Sequence, residues 1–352
     1  MKIIYSFNKS GYERSYWLKE IHAASSASFT FVPFNHGEFL DPWRYHRAQL
    51  LDQLYVEKNS SLLKMYEALE ALINQHRAEA LIVDNCFPYH PDWLKQLTIY
   101  KVLRTSDGPL TAYDRDFAYL HAYDHVLYHS PAYSAEMGMA EKLNYCGARR
   151  IDFWPLALFD GMHDASKDET ALFSLKRDLD VVFVGALFPN KMPLLSAVKK
   201  HLGRRFHLHG LAGWKKNVYF NLKYGFPGWV SPIKAEEYVA LYQRAKIGIN
   251  VHNRGKYTVG SFRLFELPGN GVMQISDGGE YLSDFFKVGE EIESYETCEE
   301  LIDKVRYYLS HEEARKRVAL AGYRRVMRDH RINLRLREAG AMIKSGFLRV
   351  KN

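Results

Sequence analysis

Short apolar runs of strand length alternate with longer stretches of helical periodicity through this chain, and they do so in two series. The first series predicts strands over residues 2–7, 29–32, 80–83, 100–104 and 125–128. The second predicts strands over 180–184, 206–209, 246–251 and 272–276, with helices over 297–309 and 311–328. Parallel neighbours need a crossover segment, usually a helix, so this alternation specifies α/β units with helices covering parallel sheets. In the first series, residues 41–76 form one long helical region, with Leu62, Met65, Leu69 and Leu72 at 3.6-type spacing. A chain of 352 residues exceeds one ordinary core. The expected organisation is a Rossmann-like domain at 1–160, a second at 161–332 and a basic tail at 333–352 packing back on the first. The pattern breaks near Trp154–Pro155, and the polar stretch 160–170 reads as the interdomain connection. Two such domains facing each other would place the carboxyl ends of both sheets around one cleft.

Composition narrows the class further. An apolar content of 47% with 25% charged residues is that of a soluble globular protein. The apolar start is short, and no run approaches the eighteen residues of a spanning helix, so neither a secretion signal nor a membrane span is expected. Cys86, Cys146 and Cys298 are odd in number and far apart, which favours a reduced, cytoplasmic setting. The net charge of +7 is concentrated at the end of the chain, where residues 301–352 hold 14 Lys/Arg against 5 Asp/Glu. That segment, with Arg315, Lys316, Arg317, Arg324, Arg325, Arg328, Arg331, Arg335 and Arg337, suits the inner face of a membrane, an anionic polysaccharide or nucleic acid. It also reads as a solvated helix face.

The chemistry concentrates in Thr258–Gly271. A Gly260–Ser261–Phe262 turn leads into a helix in which Arg263 and Glu266, three apart, share a face. Free N–H groups at the helix start and the Arg263 guanidinium suit a diphosphate, and the Glu266 carboxylate can accept from ribose hydroxyls. An amphipathic helix with a surface Arg–Glu pair is the competing reading. Gly185 ends an apolar strand and Lys191 follows six residues later, so backbone and ammonium could both approach phosphates there. His252 and Asn253, just past a strand, would face the donor or serve as caps. Lys9, Ser10 and Gly11 follow the first strand as a candidate loop near the diphosphate. No Gly-Lys-Ser/Thr or G-x-G-x-x-G motif is present, which disfavours purine triphosphates and NAD. His121, His125 and His129 lack a completing carboxylate, so no metal site and no cofactor are expected.

These motifs come in an order that resembles the CgeB-like (spore maturation protein) branch of the GT-B glycosyltransferases. The strand Asp180–Gly185, the segment Ala245–His252, the Arg263/Glu266 helix and the ending Ala321–Val326 carry the resemblance. Thr105–Pro109 and Gly147–Arg150 carry it more weakly in the first half. The layout is also similar to phage DNA β-glucosyltransferases, where an arginine three residues before a glutamate holds the diphosphate and ribose of a UDP-sugar. The resemblance implies a GT-B fold, a UDP-sugar donor in the C-terminal domain and Ile233 against the nucleobase. It also implies an acceptor on the N-terminal domain: a glycan, a lipid-linked group or nucleic acid.

Retaining GT-B enzymes usually carry a second glutamate eight residues upstream of Glu266, where this chain has Thr258. An inverting transfer needs a base, and Asp107, after the fourth expected strand, is the first candidate, with Asp84 in reserve. Asp107-Gly108-Pro109 is equally a turn sequence. A nucleotide-sugar epimerase or hydrolase would show the same donor grip, and a nucleic-acid-binding protein would use the basic segment instead.

Overall fold

A computed structural model describes residues 1–8, 11–40, 48–84, 88–105, 114–129, 139–252, 261–278 and 281–351. The chain divides into two compact units, Met1–Phe159 with Ile332–Asn352, and Asp160–Arg331.

The first unit is built on a parallel sheet of β1 (Lys2–Phe7), β2 (Thr30–Asn35), β3 (Ala80–Asp84), β4 (Tyr100–Arg104), β5 (His125–Tyr128) and β6 (Ile151–Phe153). The order is β2-β1-β3-β4-β5-β6, with every neighbouring pair parallel. Three-residue β6, half-buried throughout, had too little pattern to be predicted. The region 41–76 does not form one helix. Asn59 takes φ 60°, Ser60 accepts from Leu63 N–H at 3.2 Å, and a new helix, Ser61–His76, starts after the first, Ala48–Val56. The second helix buries Leu62, Met65, Tyr66, Leu69 and Ile73, the stripe its spacing dictates. The C-terminal residues form a helix, Ile332–Lys351, that belongs to this unit. Trp154 Nε1 donates to Arg335 O at 2.5 Å, and Leu336, Ala339 and Ile343 are buried.

The second unit has β7 (Leu179–Val184), β8 (Phe206–His209), β9 (Ala245–Asn250), β10 (Met273–Asp277) and β11 (Glu293–Tyr295). All pairs are parallel, in the order β11-β10-β9-β7-β8. Both faces of β7 are covered: Val181 and Phe183 enter one hydrophobic cluster, Val182 and Val184 another. From β7 the chain winds first outward to β8 and then back to β9, so the strand order reverses between β7 and β9. That reversal is where open α/β sheets present ligand crevices. The polar stretch 160–170 is not a connection but part of this unit. Asn270 Nδ2 donates to Met162 O at 2.7 Å, and Asp168 caps the helix Glu169–Phe173.

The basic C-terminal residues are distributed over helices of both units and are largely paired. Arg324 forks onto Glu169 at 2.8 and 2.6 Å, Arg325 and Arg328 share Asp329 at 2.8 and 2.7 Å, Arg331 meets Asp160 at 2.6 Å and Arg335 meets Glu338 at 2.8 Å. Among the described residues, no helix is long and apolar enough to cross a membrane.

Candidate functional site

Arg263 ties together the two strand ends at the reversal. Its Nε donates to Val184 O at the end of β7 at 2.6 Å, and its Nη1 donates to Asn250 Oδ1 at the end of β9 at 2.9 Å. The guanidinium lies 4.6 Å from the centre of the Phe183 ring. Gly185 makes this possible. It adopts φ +154°, and a Cβ there would run into Arg263 Nη2. Its N–H donates to His209 O at 3.1 Å, so the glycine supplies room for the guanidinium rather than a donor for phosphate.

The helix carrying Arg263 is short, Arg263–Gly269, and Phe262 precedes it in helical geometry with no side-chain cap. Pro268 interrupts its ladder, and Gln274 Nε2 takes up Leu264 O at 3.3 Å in place of the missing N–H. The sequence reading gave the helix start a large share of the anion binding. A helix of seven residues has only a weak dipole to offer a ligand. The helix packs closely on β9, since a Cβ at Gly248 would collide with Leu267. Ser261 is half-buried and Phe262 exposed at the approach to this helix.

Lys191 joins Arg263 at Phe183. It is only 2% exposed, just before the helix Met192–Leu202, with Nζ 5.7 Å from the Phe183 ring centre and 5.8 Å from that of Phe188. Among the described residues no carboxylate comes within ion-pair distance of Nζ. Burial and the neighbouring Arg263 charge lower its pKa to about 7, against the opposing pull of Asp277. The sequence alone left Lys191 open to a solvated loop position, which its burial excludes.

Glu266 is 8% exposed, and its Oε2 accepts from Tyr242 O–H at 3.4 Å. Burial and the Glu266 charge push the Tyr242 phenol well above its ordinary pKa, so Tyr242 stays a donor. Ile233 packs on the same cluster that contains Tyr242, Val184 and Leu267. Its position is on the Glu266 side of β7.

His252 is buried in a chain of hydrogen bonds. Asp277, at the end of β10, accepts from the His252 backbone N–H at 2.9 Å and from Nδ1–H at 2.6 Å. Because the carboxylate only accepts, Nδ1 carries a proton, and Nε2 forms a hydrogen bond of 2.5 Å with the Tyr281 hydroxyl. Asn250 Nδ2 donates to Ser276 Oγ at 3.1 Å, linking β9 to β10 beneath this chain. His252 is thereby fixed in orientation, which is more than a capping role requires. Asp277, Tyr281, Asn250, Phe183 and Tyr242 were not singled out as site residues. For Asn250 and Asp277 a signal existed, since each is a polar residue ending an apolar strand; for Tyr281 there was none.

In the first unit, Asp84 Oδ1 accepts from Tyr5 O–H and from Arg104 Nη1, both at 3.1 Å. Gly11 begins the helix Gly11–Ala23 instead of lying in a loop. His125 lies 2.8 Å from Asp152, His129 Nδ1 donates to Thr105 O at 3.0 Å, and burial lowers both imidazoles to about 4. Among the described residues, no group of His, Cys, Asp and Glu could hold a metal ion. Asp107, Lys9, Ser10, Asn253, Thr258 and Gly260 lie outside the described residues.

Residues 191–340 match the family described as glycosyl transferase-like, a segment that starts at Lys191 and includes Arg263 and Glu266. No curated protein sequence matches the chain. Solved structures match along almost its whole length. A sucrose-phosphate synthase (tll1590) from Thermosynechococcus elongatus is 13% identical, with a TM-score of 0.65 over 99% of this chain and 100% of its own. A glycosyltransferase from Rickettsia africae is 12% identical, with a TM-score of 0.60 and 98% of both chains covered. Anabaena Alr3699/HepE, solved in complex with UDP-glucose, is 11% identical, with a TM-score of 0.61 over 98% of this chain and 99% of its own. The chain thus has the GT-B fold and a glycosyl transferase-like segment. The CgeB-like and phage-enzyme likenesses rest on the sequence motifs alone.

Proposed function

We propose that this chain is a glycosyltransferase that takes a nucleotide-diphosphate sugar, a UDP-sugar, at the β7/β9 strand ends of its second unit. The observation that carries the proposal is the pair of buried cations, Lys191 and Arg263, that lie 5.7 and 4.6 Å from the centre of the same Phe183 ring. Two cations placed together without an adjacent carboxylate partner are costly to bury, and a diphosphate offsets that cost. The Alr3699/HepE structure with UDP-glucose, of the same fold, supports the choice of donor.

In this reading Arg263, held by Val184 and Asn250, directs its remaining donors at the diphosphate, and Lys191 supplies a second positive charge as the bond to the leaving group breaks. Glu266 accepts from the ribose hydroxyls, steadied by Tyr242. Ile233 borders the nucleobase and His252 the sugar. The transfer inverts configuration, with Asp107 removing the acceptor proton, and the acceptor is a glycan or another polymer. Incubation with UDP-glucose and a panel of glycan acceptors, followed by product analysis, tests the activity. Release of free sugar or epimerised nucleotide sugar without any transfer product would replace this function with hydrolysis or epimerisation.

A further inference from the structure

Where β7 and β9 begin, at the opposite end of these strands from the donor site, the second unit contains a cavity of about 420 Å³. Its wall carries Lys176, Arg177, Lys246, Arg315 and Lys316 against one lining carboxylate, Glu312. Lys246 is held by Asp180 at 2.6 Å and Lys316 by Glu312 at 2.8 Å. Arg315 is buried, with Glu312 at 3.8 Å and Tyr308 O at 3.1 Å from its guanidinium. Arg177 bonds only carbonyl groups among the described residues: Ala245 O at 2.7 Å, Tyr242 O at 3.1 Å and Asn270 O at 3.0 Å. Burial and the charge of Arg315 lower even the Arg177 guanidinium, to about 10. The Arg315 charge thus disfavours that of Arg177, which has no carboxylate of its own among the described residues, whereas Glu312, Asp180 and Glu313 favour the charge on Arg315.

We propose that this cavity binds the phosphoryl group of a small molecule between Arg177 and Arg315, and that its occupancy tunes the donor site. Phe173, Leu175 and Ala319 add apolar wall, which suits the carbon skeleton of a phosphate ester. The route to the donor site is short and made of hydrogen bonds. Arg177 holds Ala245 O, the first residue of β9, and Asn250 at the other end of β9 holds Arg263. Arg177 also holds Asn270 O, while Asn270 Nδ2 donates to Glu266 O at 2.9 Å. An anion that draws Arg177 toward the cavity thus acts on both elements that position the donor contacts, which gives two distinct sites a physical coupling.

The test is calorimetry on the full chain with inorganic phosphate and with a hexose 6-phosphate, each in saturating UDP-glucose so that the donor site is filled. Binding of either probe is expected to persist, and whichever binds more tightly identifies the source of the phosphoryl group. Exchanging the exposed Lys176 and Lys316 for Gln should weaken it at least fivefold, and Arg315→Gln more. The probe should also shift the UDP-glucose affinity by at least twofold. Loss of probe binding in the presence of UDP-glucose, or equal affinity in the Lys176→Gln/Lys316→Gln chain, overturns the site. An unchanged UDP-glucose affinity overturns the coupling. If UDP-glucose itself does not bind, the same titrations on the Lys191→Met chain still decide the cavity separately from the donor proposal.

Discussion

Lys191 and Arg263 meet over one aromatic ring: Lys191 Nζ lies 5.7 Å and Arg263 Cζ 4.6 Å from the centre of Phe183. Each cation raises the cost of the other, and the ring face offsets only part of it. A site of this kind is improved by an anion, and its properties without one follow from the strain.

The first consequence is a pH dependence of donor binding. Without ligand, burial and Arg263 hold Lys191 near 7, so it is only partly charged at neutral pH. A diphosphate favours the ammonium form and raises its pKa in the complex. Affinity for UDP-glucose is therefore greatest below pH 7 and falls as pH rises through 7 toward the pKa of the complex, by up to about tenfold per unit. Calorimetry between about pH 6 and 8.5 should also detect proton uptake on binding. A flat profile with no proton uptake would separate Lys191 from the ligand.

The second consequence concerns stability. The folded chain holds Lys191 below the 10.5 of an ordinary lysine, so the unfolded chain binds more protons between about pH 7 and 10.5. The resulting penalty is full below pH 7 and fades as pH rises across that window. Lys191→Met should raise the melting temperature without ligand by about 2–4 °C at pH 6, an effect of roughly 1 kcal/mol, and by less at pH 9. A lower melting temperature at pH 6 would mean that the ammonium is well satisfied in the native chain.

Much of the fold was legible because strands buried on both faces leave near-continuous apolar runs, as in Val181–Val184. Arg263 and Glu266 stood out by spacing. What the chain order hides is which groups meet. Phe183 lies 80 residues before Arg263, and their contact follows from β7 pairing with β9. Gly185 was legible as a special position, but its work is to admit a side chain, a fact that only the folded register provides. The break at Asn59–Ser60 was missed because apolar spacing continues across it, and the local capping bond decides. The basic end of the chain looked like one charged surface, yet its partners Glu169 and Asp160 are acids far upstream that linear charge counting does not pair with it.

Glu266 should discriminate ribose. Its carboxylate is buried beside Tyr242, and Glu266→Ala should cost about 1–3 kcal/mol of UDP-glucose affinity. The preference of the parent chain for UDP over 2′-deoxy-UDP should shrink in the same variant. Unchanged affinity and preference in a folded Glu266→Ala protein would remove Glu266 from the ribose.

Asp107 carries the proposal for mechanism. Asp107→Asn keeps the shape of the side chain and removes the proton acceptor, so turnover should fall by about 10²–10⁴ while UDP-glucose affinity changes little. The product formed by the parent should have the anomeric configuration opposite to that of the donor. Near-parental turnover in the variant, or a product that retains configuration, would rule out Asp107 as the base of an inverting transfer.

The most direct measurement is the affinity of UDP-glucose for the parent and for Lys191→Met, compared by calorimetry at pH 6.5, where Lys191 in the parent is mostly charged. The parent should bind at a single site, and the variant, folded and at least as heat-stable, should bind at least tenfold more weakly, a loss of about 1.4 kcal/mol or more. Equal affinities in the two proteins would contradict a donor diphosphate held between Lys191 and Arg263.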